Sequence, residues 1–165
     1  MVAVVVALGI TGGVLWWMRG DERTAAAEAW YRTGIPWAAH DTTAYCLAAY
    51  AIGPGMVYSS LDECRSEADQ LLRLTSDADV KLTAASRVDP AKMRLLPDKS
   101  VIFWGSAVSY PDGPPRFDGL EPLSPLRMLT VMQNIDGQGW RIVGQKLDGT
   151  TMGYVPAGRP DEAPS

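Results

Sequence analysis

The sequence predicts an α+β protein: an N-terminal transmembrane helix, then three helices packed on one face of a curved antiparallel sheet. Three observations carry this. Met1–Met18 holds no charged residue. Residues 21–74 show helix start and stop signals around apolar residues at three- and four-residue spacing. After Leu74 the pattern turns to runs rich in β-formers, separated by Gly and Pro. Helices first and strands after, in 165 residues, is the order of one α+β domain with a short appendage.

The apolar segment reads M-V-A-V-V-V-A-L-G-I-T-G-G-V-L-W-W-M. A membrane span needs ~20 apolar residues, with ~17 as the lower limit. Trp16 and Trp17 close it, where indoles favour the headgroup layer, and Arg19 stops it. A cleaved signal peptide would show a basic start and a small-x-small end; this run ends in W-W-M-R. A buried core helix would show a polar face, and none appears. The expectation is a retained anchor over 1–18 and a domain over 19–150. Arg19 and Arg23 follow the span and nothing basic precedes it, which by the positive-inside rule turns the domain inward. The cysteines point outward and are weighed more heavily, because the bias is only these two arginines. The uncharged opening leaves room for a basic leader upstream.

Asp21–Arg32 reads as a helix, with Asp21 and Glu22 at the positive end of its dipole. Gly34 and Pro36 are expected to break or kink it, while Ile35, Trp37 and Ala38 continue its apolar face. Asp41 is the N-cap of a second helix through Tyr45, Leu47, Ala48, Ala49 and Ile52, ended by Gly53–Pro54–Gly55. Ser60 and Glu63 form a capping box for the third. Its apolar face is Leu61, Cys64, Ala68, Leu71 and Leu72, so Cys64 points inward.

Cys46 and Cys64 are the only two cysteines. One reading is two buried free thiols. Placed on consecutive short helices behind an anchor, they fit a disulfide in an oxidising compartment better.

Val80–Asp89 is read as a strand, from the alternation of Val80, Leu82 and Ala84 against Lys81, Thr83 and Ala85. Residues 100–110 form a second strand, and 111–125 a Pro/Gly-rich loop suited to a partner. Residues 126–135 and 140–147 form a hairpin about D-G-Q-G. From Asp148 the composition is that of a disordered tail, 151–165.

The segment A-A-H-D-T-T-A-Y-C-L-A-A-Y, the following D-E-C-R, and the hairpin L-T-V-M-Q-N-I-D-G-Q-G-W-R-I-V resemble the nuclear transport factor 2-like (SnoaL-like) superfamily. The likeness is to its secreted or membrane-anchored actinobacterial members and covers roughly residues 22–147. It implies a cone, a bent sheet wrapped by helices around a pocket, in a family of enzymes and of binding or scaffold modules. The pocket would take Trp104, Tyr110, Met128, Met132 and Trp140, although aromatic residues in such positions are more often plain core.

Candidate chemistry is sparse. His40–Asp41 is the one His–carboxylate pair, and Asp41 is already explained as a cap. One His and two Cys eighteen apart match no zinc spacing. G-I-T-G-G at 9–13 lies inside the apolar run, so no phosphate loop is read. A net charge of −4 with scattered Lys and Arg argues against nucleic acid. Hydroxyl and apolar side chains fill the mid-strand positions. The expectation is a single-pass protein of the cell membrane, its domain extracytoplasmic, that binds or scaffolds another membrane or cell-envelope protein. It carries no catalysis, cofactor or metal. The alternatives are a small-molecule enzyme of the same fold, or a scaffold subunit of a secretion or conjugation apparatus.

Overall fold

The structure, a computed structural model, describes residues 22–115, 128–147 and 150–156. The predicted anchor, Met1–Met18, lies outside them, as does most of the 111–125 loop. Among the described residues no helix is long and apolar enough to cross a membrane.

The described residues begin within helix α1 (described from 22 to 38), followed by α2 (Thr42–Ala49), α3 (Leu61–Arg73) and α4 (Asp77–Ala84). Strands β1 (Arg87–Val88), β2 (Arg94–Leu95), β3 (Val101–Trp104), β4 (Val108–Ser109), β5 (Leu129–Ile135), β6 (Gly139–Leu147) and β7 (Thr150–Gly153) follow. Five form an antiparallel sheet in the order β2-β3-β5-β6-β7, and β1 pairs with β4 apart from it. The α+β class holds, and among the described residues four helices, not three, accompany the sheet.

The caps explain the helix starts. Asp41 Oδ1 accepts from the Ala44 N–H at 2.9 Å. Ser60 Oγ accepts from the Glu63 N–H at 3.2 Å, and Glu63 Oε2 reaches back to the Ser59 N–H at 2.8 Å. α1 is not broken by Gly34 and Pro36. Pro36 sits in its last turn, where it removes one N–H from the ladder without ending it. The helix ends instead in a Schellman motif: the Asp41 N–H bonds the Pro36 carbonyl and the His40 N–H bonds the Trp37 carbonyl. His40 takes the left-handed position, φ 55°. Gly34 is present for packing, since a Cβ there would run into the Ala84 carbonyl.

Three other expectations are corrected. The first half of the strand read at 80–89, Val80–Ala84, belongs to helix α4, because Ser76 caps it, and only Arg87–Val88 of that range is strand. Ser76 Oγ accepts from the Asp79 N–H at 3.2 Å, an S-x-x-D signal stronger than the alternation in V-K-L-T. The strand at 100–110 is split by a 3-10 turn at Gly105–Ala107. The segment read as tail begins with β7, which pairs with Gly144–Leu147 of β6.

The central strands β3, β5 and β6 are buried on both faces. Val101, Phe103, Met132, Trp140 and Ile142 pack with Ala26, Trp37, Cys46, Ala49, Cys64, Ala68 and Val80 from the helices. Trp30 of α1 meets Phe103 edge-on at 5.3 Å. The opposite face, Ile102, Leu129, Val131 and Val143, packs with Ala51 and with Met56, Leu96, Trp104, Ile135 and Val155. Two-sided burial is why β5 opens as a continuous buried run, Leu129–Met132, apolar except for Thr130. The β5–β6 register shifts at Val131/Met132, leaving Val143 as the extra residue of a β-bulge. At the bulge, a Cβ on Gly144 would run into the Tyr154 carbonyl, so glycine lets the chain after β7 close onto β6.

Candidate functional site

The disulfide is formed. Cys46 of α2 and Cys64 of α3, both buried, are joined with Cα atoms 6.1 Å apart. It clamps α2 to α3, and α2 in turn hands the chain to the sheet. Tyr50 bridges Ile142 in parallel, and the Ala51 N–H bonds the Ile142 carbonyl at 2.9 Å.

Beside this junction lies an open cleft of about 440 Å³, lined by Leu47, Tyr50, Ile52, Gly137, Gln138 and Arg141. One wall is the end of α2 and the strand-like exit after it. The other is the tip of the β5–β6 hairpin, held by the Gln138 N–H on the Ile135 carbonyl at 2.9 Å. Leu47 faces outward, 51% exposed. On this side of β6, β7 covers Gly144–Leu147 and Tyr50 covers Ile142. Among the described residues no strand pairs with that edge over Gly139–Arg141.

Arg141 is the one charged residue of the lining. Its Nη1 donates to the Trp140 carbonyl at 2.8 Å. Its Nε is shut off from solvent with no acceptor. It forms no ion pair with any described carboxylate, and burial alone pulls its pKa downward. A partly desolvated cation with unused donors is costly unless an anion meets it.

Behind the cleft runs an aromatic row. Ring centroids are 4.9 Å apart for Trp37–Tyr45, 6.1 Å for Tyr45–Tyr50 and 4.8 Å for Tyr50–Tyr58. The Tyr58 hydroxyl donates to Glu67 Oε2 at 2.9 Å. Burial above all pushes the three tyrosines above the usual phenol range; the neighbouring Tyr50 adds to it at Tyr45, Tyr58 at Tyr50, and the Glu67 carboxylate at Tyr58. They are therefore neutral hydroxyl donors at any physiological pH.

The five expected pocket residues do not converge. Met132 and Trp140 are buried in the helix-side core, and Trp104 packs on the opposite face. Met128 precedes β5, its Sδ accepting from Gln145 Nε2 at 3.7 Å. Tyr110 follows β4, and burial raises its pKa. None of the five lines the cleft. His40 is exposed, its Nε2 3.8 Å from Asp77 Oδ1. Both members of the His40–Asp41 pair thus serve helix ends. Among the described residues no group of three or more His, Cys, Asp or Glu could hold a metal ion.

No protein-family model, curated protein or solved structure matches the chain.

The residues that matter most at the cleft were assigned elsewhere by sequence. Leu47 reads as apolar bulk of α2, yet one step of about 100° from Cys46 carries it off the buried face. Arg141 reads as an outward strand residue, and nothing local tells that a helix end will wall it in. Residue order holds no signal for that meeting.

Proposed function

We propose that this protein is an anchored, extracytoplasmic domain of the nuclear transport factor 2-like cone type that binds or scaffolds a partner without catalysis. Its contact surface is the cleft between α2 and the β5–β6 hairpin. The observation that carries the reading is Arg141, a partly desolvated guanidinium without a carboxylate, set beside exposed Leu47. Such a pairing of a charged group with an apolar neighbour suits recognition. The chemistry of the nearby polar groups favours binding as well. The tyrosines are held protonated, so they donate hydrogen bonds and do not act as bases near neutral pH. The disulfide supports the extracytoplasmic side, since such bonds persist in oxidising compartments. The anchor and the cone rest on the uncharged run at 1–18 and on the motif resemblance. Membrane tethering would raise the domain's effective concentration near envelope partners.

Two measurements test this. Protease added to intact spheroplasts should remove the domain; full protection would place it inside. A photo-crosslinking residue put at Leu47 should join the domain to a neighbour of discrete mass in native membranes. The same residue at exposed Arg65 of α3 should not. Equal adducts from both positions, or none from Leu47, would remove the cleft as the contact surface.

A further inference from the structure

The strand edge that no described strand pairs with and the Arg141 guanidinium, whose Nε lacks an acceptor, lie side by side in the cleft, and together they define an occupant. We propose that the cleft takes a carboxylate of a polypeptide, laid in extended form along Gly139–Arg141 of β6, with one apolar side chain against Leu47 and Ile52. This deepens the binding-domain reading and rests on it.

The cation selects the charge. Arg141 offers a planar set of N–H donors that matches a carboxylate, and only one of its nitrogens is used inside the domain. Asp136, in the same hairpin, forms no ion pair with it. Turning the guanidinium toward the cleft would give Nε the acceptor it lacks.

The edge selects a polypeptide. The Ile142 carbonyl points outward to the Ala51 N–H. Alternation along a strand aims the Trp140 carbonyl the same way, and Arg141 Nη1 now covers it. Over Gly139–Arg141 the same alternation turns only the Trp140 N–H and carbonyl outward. This short template gives an added chain backbone bonds for affinity and side-chain contacts for specificity once Arg141 moves off the carbonyl. Its three residues, at about 3.3 Å each, span roughly 10 Å. The junction already uses this mode once, where Tyr50 joins Ile142 in parallel. A lipid headgroup or nucleic-acid phosphate would call for several clustered cations, and the lining holds one.

The test uses the full-length chain in detergent micelles, labelled with nitrogen-15 and with methyl carbon-13, followed by NMR. The probes are acetyl-Ser-Leu-Ser-Leu with a free C-terminus, the same peptide as its amide, and acetyl-Ser-Leu-Asp-Leu-amide. Inorganic phosphate is the control. A carboxylate peptide should shift the Leu47 methyls and the Gln138 and Arg141 amides saturably. It should bind about tenfold tighter than the neutral amide, the scale of one charge-assisted bond. Which carboxylate peptide wins tells a chain end from an acidic side chain. R141Q should abolish the difference and R141K should keep part of it. The wild-type comparison of charged with neutral peptide stands even if a variant misfolds. Equal affinity for charged and neutral peptides, shifts unchanged in R141Q, or phosphate binding as tightly as the peptides would overturn the proposal. So would no shift up to millimolar peptide, in which case Arg141 serves only to shield the edge. Crosslinking from Leu47 that survives R141Q would sink the carboxylate while leaving the binding domain intact.

Discussion

Gly34 shows how one residue sets an interhelical distance. α1 crosses the end of α4 so closely that the Ala84 carbonyl occupies the place of a Cβ. Gly34→Ala should therefore cost about 1–3 kcal/mol as overpacking, despite alanine's better helix propensity. A urea titration of the two proteins checks it, and equal midpoints would show that the backbone yields freely. The buried tyrosines set a pH limit by the same kind of local accounting. Tyr45, Tyr50 and Tyr58 have pKa values raised in the fold, chiefly by burial. The unfolded chain loses those protons first, at about pH 10. Stability is thus unaffected by them below that pH and is lost as pH climbs above it. The tyrosinate absorbance of these three, taken as the difference from their Phe variants, should appear together with the loss of circular dichroism, and Tyr50→Phe should move that loss to higher pH. Ionisation of these tyrosines well before unfolding would contradict the burial argument.

At the scale of elements, short helices are held by their ends and by one covalent clamp. α2 and α4 have eight residues each, too few for stability on their own. Ser76 caps α4 through its bond to the Asp79 N–H. Ser76→Ala should cost about 1 kcal/mol and speed amide exchange in α4 more than in α3. Uniform exchange across both helices would mean that the cap has no local role. The Cys46–Cys64 bond closes a sequence separation of 18 between α2 and α3. Its removal by Cys46→Ala with Cys64→Ala should cost about 3 kcal/mol in the chain-entropy model. The cleft should suffer before the rest, because α2 carries Leu47 and leads into Tyr50. An unshifted urea midpoint for the double variant would mean that packing alone holds the helix pair.

For the molecule as a whole, the last strand closes the sheet. β7 covers the outer edge of β6 along Gly144–Leu147, and the Tyr154 hydroxyl reaches Asp98 Oδ2 at 2.7 Å. Val155 also packs on the second core cluster. Ending the chain after Leu147 would bare a longer edge next to the stretch Gly139–Arg141, with which no described strand pairs. Exposed edges of this sort recruit other chains. The truncated protein should therefore elute larger on size exclusion in the detergent that keeps the full chain monodisperse. A monodisperse truncation of unchanged stability would show that β7 is an accessory.

The sequence by itself determined the α+β order, the caps at Asp41 and Ser60, the inward face of Cys64 and the hairpin of β5 and β6. These are local matters: a cap acts within three residues, a helix face repeats every three or four, and a tight turn joins neighbours. The cysteine pairing was legible because there was only one partner to choose. Local signals also misled where two competed. The alternation at Val80–Ala85 outweighed the Ser76 cap on paper, and composition hid β7, which is a strand because β6 offers it an edge. Tertiary structure alone decided that the central strands β3, β5 and β6 are buried on both faces, that Gly34 and Gly144 are contact points, and that Leu47, Tyr50 and Arg141 share a cleft. Leu47 and Arg141 stand nearly a hundred positions apart in sequence. They meet because the disulfide holds α2 against α3 while the chain leaving α2 joins Ile142, and no periodicity or motif encodes that pairing.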